Sequence, residues 1–77
     1  VIEVLTDTRR EVLASIAGYT REHGYPPSLR EIASATGLSA TTADYHLRRL
    51  ANSGYLRRAY GRSRSLVLTD LGTAVTL

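Results

Sequence analysis

The chain of 77 residues is expected to fold as a mainly α protein with a small β-hairpin, three helices followed by a two-stranded wing. Three observations predict this. Apolar residues recur at helical spacing in three segments. Glycines and prolines fall between those segments, at Gly24-Tyr25-Pro26-Pro27, Gly37 and Gly54. After Gly54 the apolar pattern changes to a period of two. The length suits one modest core, because a chain this short buries roughly 60% of the surface it exposes when unfolded. One domain over residues 1–77 is expected, with a core over about 5–68 and a short tail over 69–77.

The first helix is expected over residues 6–23. Val12, Leu13, Ile16 and Ala17 make one apolar stripe. Thr8 and Glu11 fit the S/T-x-x-E capping pattern, with Thr6 as a competing N-cap. Gly24 supplies the left-handed residue at the end, and Pro26 and Pro27 prevent continuation. Ser28-Leu29-Arg30-Glu31 is a cleaner capping box. It opens a short helix over 29–36, with Leu29, Ile32 and Ala33 on its inner face, and Gly37 ends it. Leu38 is expected to plug the core, and Ser39 to cap the third helix.

The third helix is expected over 40–53. Ala40, Ala43, Leu47, Leu50 and Ala51 lie on one side, and Thr41, Thr42, Tyr45, Arg48, Arg49 and Asn52 on the other. Residues 55–60 and 65–68 then read as two short strands around a turn at Gly61, Arg62, Ser63 and Arg64. A two-stranded hairpin is not stable alone. It must therefore lie on the helices, through Leu56, Leu66 and Leu68. Arg57 and Arg58 alternate, so one of them faces solvent. Thr69-Asp70 can cap a last turn running to Leu71 and Val75.

Two helices joined by about three residues with a glycine, followed by a hairpin, form the winged helix-turn-helix plan. In that plan the second helix of the pair enters the major groove with its N-terminal half against base edges. Ser39, Ala40, Thr41 and Thr42 are small enough to permit close approach. Helix N-termini also favour phosphate.

Charge points the same way. The net charge is +3, but residues 1–38 sum to −1 and residues 39–77 to +4. Between Tyr45 and Leu68 lie Arg48, Arg49, Arg57, Arg58, Arg62 and Arg64, with no acid. Such a concentration suits an anionic partner, of which nucleic acid is the commonest. A merely solvated basic face is the bland alternative. Thr41, Thr42 and Tyr45 are placed for base edges, Arg48 and Arg49 for phosphates. Arg62 and Arg64 sit at the hairpin tip, within reach of backbone or minor groove.

Composition excludes several classes. Without cysteine there is no disulfide, thiolate metal site or thiol catalysis. No apolar run approaches 20 residues, so no membrane span is expected. Nor does the N-terminus carry a basic segment followed by an apolar one. Two histidines, His23 and His46, do not make a zinc site, and His46 reads as a structural partner on the flank of the third helix. Ser15, His23 and Asp7 have no spacing that supports a triad. All ten basic residues are arginine, so no lysine nucleophile or base exists; codon bias is the first reading, because Arg9, Arg10 and Arg21 share it, and selection for arginine at nucleic-acid contacts the second. No catalytic, cofactor-binding or metal site is expected. There is no methionine, so Val1 is not an unprocessed start, and the chain is read as a trimmed product or a piece of something longer.

The run Gly24-Tyr25-Pro26-Pro27-Ser28-Leu29-Arg30-Glu31-Ile32 is specific. Together with Leu5-Thr6, Gly37-Leu38-Ser39, His46-Leu47-Arg48-Arg49-Leu50 and Gly54-Tyr55-Leu56-Arg57-Arg58, it resembles the N-terminal DNA-binding domain of LexA repressors, most closely the actinobacterial forms. The likeness covers about residues 5 to 67. It implies a transcriptional repressor that binds double-stranded operator half-sites as a pair on a palindrome, in the DNA-damage (SOS) regulon, in the cytoplasm at the nucleoid. The family's base-reading positions fall on Ser39, Thr41, Thr42, Asp44 and Tyr45, and Ser28 joins them at the start of the preceding helix. Two departures stand out. The segment between Gly37 and His46 is one residue shorter than the family pattern, and Tyr45 stands where an acid or a small residue is usual. The family's operator is therefore not carried over. LexA proteins also have a C-terminal self-cleaving domain with a serine–lysine dyad, which a chain without lysine cannot supply.

Leu68-Thr69-Asp70-Leu71-Gly72 also resembles the L-T-x-x-G step after the wing of MarR-like regulators. A stand-alone winged-helix regulator, from a phage or plasmid for example, is the second reading, and a protein-docking winged helix the third. Leu71, Val75 and Leu77 are the candidate contacts between paired copies.

Overall fold

The computed structural model describes residues 5–59 and 64–76. Helix α1 spans Asp7–His23, α2 Leu29–Thr36 and α3 Ala40–Asn52. Strands β1, Leu56–Arg58, and β2, Leu66–Leu68, follow, and a short helix α4, Asp70–Val75, comes last.

Thr6, not Thr8, caps α1. Its backbone is extended (φ −72°, ψ 161°), and its hydroxyl accepts from the Arg9 amide at 3.2 Å. Thr8 already lies within the first helical turn, where it cannot act as the half-in flanking residue that caps. Gly24 terminates α1 with φ 82°, its amide donating to the Thr20 carbonyl. The capping box of α2 is complete: the Glu31 amide donates to Ser28 Oγ at 3.2 Å, and the Ser28 amide to Glu31 Oε1 at 2.8 Å. Gly37, at φ 71°, closes α2 and leaves Leu38 and Ser39 as the rest of the turn into α3.

The core lies where the three helices meet the hairpin. Val12, Leu13 and Ile16 enter from α1, Ile32 and Ala33 from α2, and Ala43, Leu47 and Leu50 from α3. Leu56 and Leu66 close it from the two strands. Leu29, Leu38, Ala51, Leu68 and Val75 pack around its edge. Ala40 departs from expectation, because it is exposed. The first turn of α3 stands clear of the core, and its inner stripe begins at Ala43.

The strands are shorter than the period-two pattern suggests. They pair antiparallel with Leu56 opposite Leu68, Arg57 opposite Val67 and Arg58 opposite Leu66. Leu56, Arg58, Leu66 and Leu68 thus share the inner face, and Arg57 and Val67 point outward. Thr69 then caps α4, accepting from the Gly72 amide at 3.2 Å and donating to the Gly54 carbonyl at 2.6 Å. Gly72 is buried so tightly on Tyr55 that a Cβ there would collide with the Tyr55 carbonyl. The L-T-x-x-G step is therefore a cap at Thr69 and a close backbone approach at Gly72.

Candidate nucleic-acid interface

Helix α3 presents its outer face as its sequence suggests. Thr41, Thr42, Tyr45, Arg48, Arg49 and Asn52 are all exposed, with Tyr45 at 53%. Ser39 caps the helix: its hydroxyl accepts from the Thr42 amide at 3.1 Å and donates to Thr42 Oγ1 at 3.0 Å. The helix is 13 residues long, so about 20 Å of it projects along that face. His46 flanks it with its ring 5.4 Å from that of Tyr45. Its Nδ1 is buried with no hydrogen-bond partner among the described residues. Burial, and then the charge of Arg9, hold its pKa below the usual histidine value.

Asp44 is not free on that face. Its Oδ1 lies 2.6 Å from Arg58 Nη1 on β1, and its Oδ2 accepts from Arg48 Nε at 2.9 Å. The Arg58 guanidinium, above all, lowers its pKa against the opposing cost of burial. Of the two strand arginines, Arg57 is exposed and Arg58 is turned inward onto this carboxylate.

Arg64 stands in the turn before β2, as expected, with its side chain engaged by the helices. Its backbone has φ 54°, and its guanidinium folds back onto the helices. Nη1 reaches Glu31 Oε1 at 2.8 Å, the Pro26 carbonyl at 3.1 Å and the Tyr19 hydroxyl at 3.3 Å. Its guanidinium carbon stands 4.9 Å from the centroid of the Tyr25 ring. Tyr19 in turn donates to Glu31 Oε2 at 2.6 Å. The Ser28 amide first, then Tyr19 and Arg64, bring the Glu31 pKa down to about 2. The hydrogen bond to Glu31 raises that of Tyr19. In the sequence Glu31 is legible as a capping residue and as part of the run over residues 24–32 with Tyr25, whereas Tyr19 carries no signal there. The spacing of the capping box is local, whereas Arg64 lies far along the chain with nothing in the intervening residues to announce it.

Ser28, half-buried, spends its hydroxyl on the α2 cap. It lines a cleft of about 340 Å³ between the start of α2 and the hairpin, together with Arg30, Arg58, Arg64 and Ser65. Arg62 lies outside the described residues, as does Leu77. Leu71 is exposed, whereas Val75 packs against the core and is already partly spent as a contact for a second copy. Among the described residues no group of three or more His, Asp or Glu side chains gathers as a metal site. No described helix is long and apolar enough to cross a membrane.

A helix pair joined through Gly37, with an exposed second helix and a hairpin beside it, defines a winged helix-turn-helix domain. A crystal structure of a hypothetical protein shares the fold, with a TM-score of 0.80 at 23% identity over 95% of this chain and 23% of its own. So does a transcriptional regulator of Thermotoga maritima, with a TM-score of 0.71 at 27% identity over 92% of this chain and 48% of that one. The family model for the LexA DNA-binding domain matches residues 2–65. The chain belongs to the LexA DNA-binding domain family. It is 44% identical over 69 residues to LexA repressor 2 of Geobacter sulfurreducens, which covers 88% of this chain and 34% of the relative. Identity is 46% over 72 residues with LexA repressor 2 of Nocardia farcinica, covering 92% and 30%. With the LexA repressor of Thermobifida fusca it is 48% over 63 residues, covering 80% and 25%. The chain thus spans about a quarter to a third of the length of these relatives.

Proposed function

We propose that this chain binds double-stranded DNA sequence-specifically and represses transcription. The observation that carries this reading is the outer face of α3, where two threonines, a tyrosine and two arginines stand exposed on a LexA-type helix-turn-helix. A protruding helix fits the major groove of B-DNA, which is about 12 Å wide. In this reading Thr41, Thr42 and Tyr45 meet base edges, with Ser39 fixing the helix start. Arg48 and Arg49 lie one turn further along and take phosphates. Arg62 extends the contact along the backbone, and Ser28 brings the amides at the start of α2 towards a phosphate. Arg64 already commits Nη1 to Glu31, so it takes part through its remaining donors or by leaving that carboxylate.

One such domain covers one half-site, so two copies are expected on a palindrome. A damage-inducible regulon and a place at the nucleoid belong to this proposal, on the resemblance to LexA repressors alone. Selection of bound duplexes from a random pool tests the whole reading. Enrichment of a palindrome with half-sites about one helical turn apart supports it. A pool that stays random at low salt overturns it and leaves docking to another protein as the use of the fold.

A further inference from the structure

We propose that Asp44 is a positioning residue, not a reader of bases: it struts the recognition helix against the wing through Arg58. The inference rests on the DNA-binding reading above and refines how that site achieves specificity. Both carboxylate oxygens are occupied, Oδ1 by Arg58 and Oδ2 by Arg48. The Asp44 side chain is only 25% exposed and that of Arg58 15%, so the pair is largely withdrawn from solvent. A carboxylate can accept from the cytosine amino group in the major groove. Each oxygen keeps a second lone pair, but both point at guanidinium groups on a side chain only one quarter exposed, and turning one of them toward a base would weaken a charged, half-buried pair.

The placement of Arg58 gives the contact its mechanical meaning. It lies on the inner face of β1, opposite Leu66, at the end of the β1–β2 register on the approach to the turn. Across that turn Arg64 is tied to Glu31 on α2. The hairpin is thus fastened on one side to α3 and on the other to α2. The first tie sets the angle between the helix that reads and the wing that grips. The same carboxylate also aims Arg48, whose side chain is 63% exposed, along the outer face of α3. Base reading is then left to Thr41, Thr42 and Tyr45, and Arg48 is presented to the backbone in a fixed direction.

The test uses the intact chain, Asp44→Ala, Arg58→Ala and the double variant, with the duplex that the wild type enriches from a random pool as probe. Each single change should weaken binding roughly tenfold, between the scales of an exposed and a buried ion pair. The double should lose little more than the worse single, and the ranking of sequences should stay the same in all three. In the free protein, amide exchange in β1 and β2 should quicken alike in both single variants. Asp44→Asn and Arg58→Gln, which keep size and remove charge, supply the same comparison if alanine unfolds the chain. A base reader gives the opposite pattern: Asp44→Ala changes the preferred base at one position, Arg58→Ala does not, and the losses add. That result, or wing exchange unchanged in both variants, overturns the strut. A wild type that enriches no duplex overturns the DNA reading and this readout role with it, while the exchange measurement still judges the strut itself.

Discussion

Glu31 shows how much one side chain can hold together. Its carboxylate closes the α2 capping box, accepts from Tyr19 and pairs with Arg64, so it joins α1, α2 and the start of the second wing strand. These partners lower its pKa from 4.5 to about 2 in the folded chain. A depressed folded pKa means stability that is present above the unfolded value and lost as pH falls. Melting temperature should therefore drop between about pH 4.5 and pH 2, and Glu31→Gln should lose less over that interval. An equal drop in both proteins would show that Glu31 is not the group responsible. Gly72 is a second single point of failure. A methyl group added there meets the Tyr55 carbonyl, which is backbone and cannot swing aside. Gly72→Ala should cost about 1–3 kcal/mol in chemical denaturation, the usual range for overpacking. The glycine was visible in the L-T-x-x-G step. Its reason was not, because the clash comes from a residue on the far side of the hairpin.

At the scale of elements, the helices were legible and the joints between them were not. Helical periodicity separates the buried stripe of Ala43, Leu47 and Leu50 from an exposed face that includes Thr41, Thr42 and Tyr45, and the structure keeps that division. Capping chemistry is equally local, which is why Ser28 and Gly37 stand where their residue types place them. Ser28→Ala should cost about 1 kcal/mol of stability, the typical loss for a removed N-cap. The division of α3 makes a functional prediction as well. Thr42→Ala or Tyr45→Ala should change the preferred base at the position each contacts, by about 1–3 kcal/mol for a contact of bidentate quality. Arg49→Ala, on the last turn, should weaken all duplexes evenly. Comparing each variant across single-base changes of the selected site decides it, and a shift of preference in Arg49→Ala would move base reading further along the helix. Periodicity also places Leu56, Leu66 and Leu68 of the wing on the helices, and the structure packs them there; what it could not show is the polar part of that attachment. Among the described residues, Asp44–Arg58 and Glu31–Arg64 supply it, and ion pairs leave no repeating mark on a sequence.

Across the molecule, the sequence reads as an uninterrupted basic stretch of six arginines between Tyr45 and Leu68. Folding alters that field, because Asp44 and Glu31, both outside the stretch, return to it as partners of Arg58 and Arg64. Counting acids along the chain misses this, since Glu31 belongs to the net-acidic half and meets the wing only in three dimensions. Six arginines against two carboxylates leave four charges to displace counterions. On B-DNA each phosphate contact contributes about −0.9 to the slope of log K against log salt, so a slope of about −3.6 is expected. If DNA instead draws Arg58 and Arg64 off their carboxylates, all six take part and the slope steepens to about −5.4. Titrating the selected duplex at several salt concentrations separates the two cases. Glu31→Gln sharpens the comparison, because it releases Arg64 and should steepen the slope by about one contact, roughly −0.9, only if Arg64 is held back in the wild type. Affinity that did not vary with salt at all would remove phosphate binding, and the arginine field with it, from the account of how this domain holds DNA.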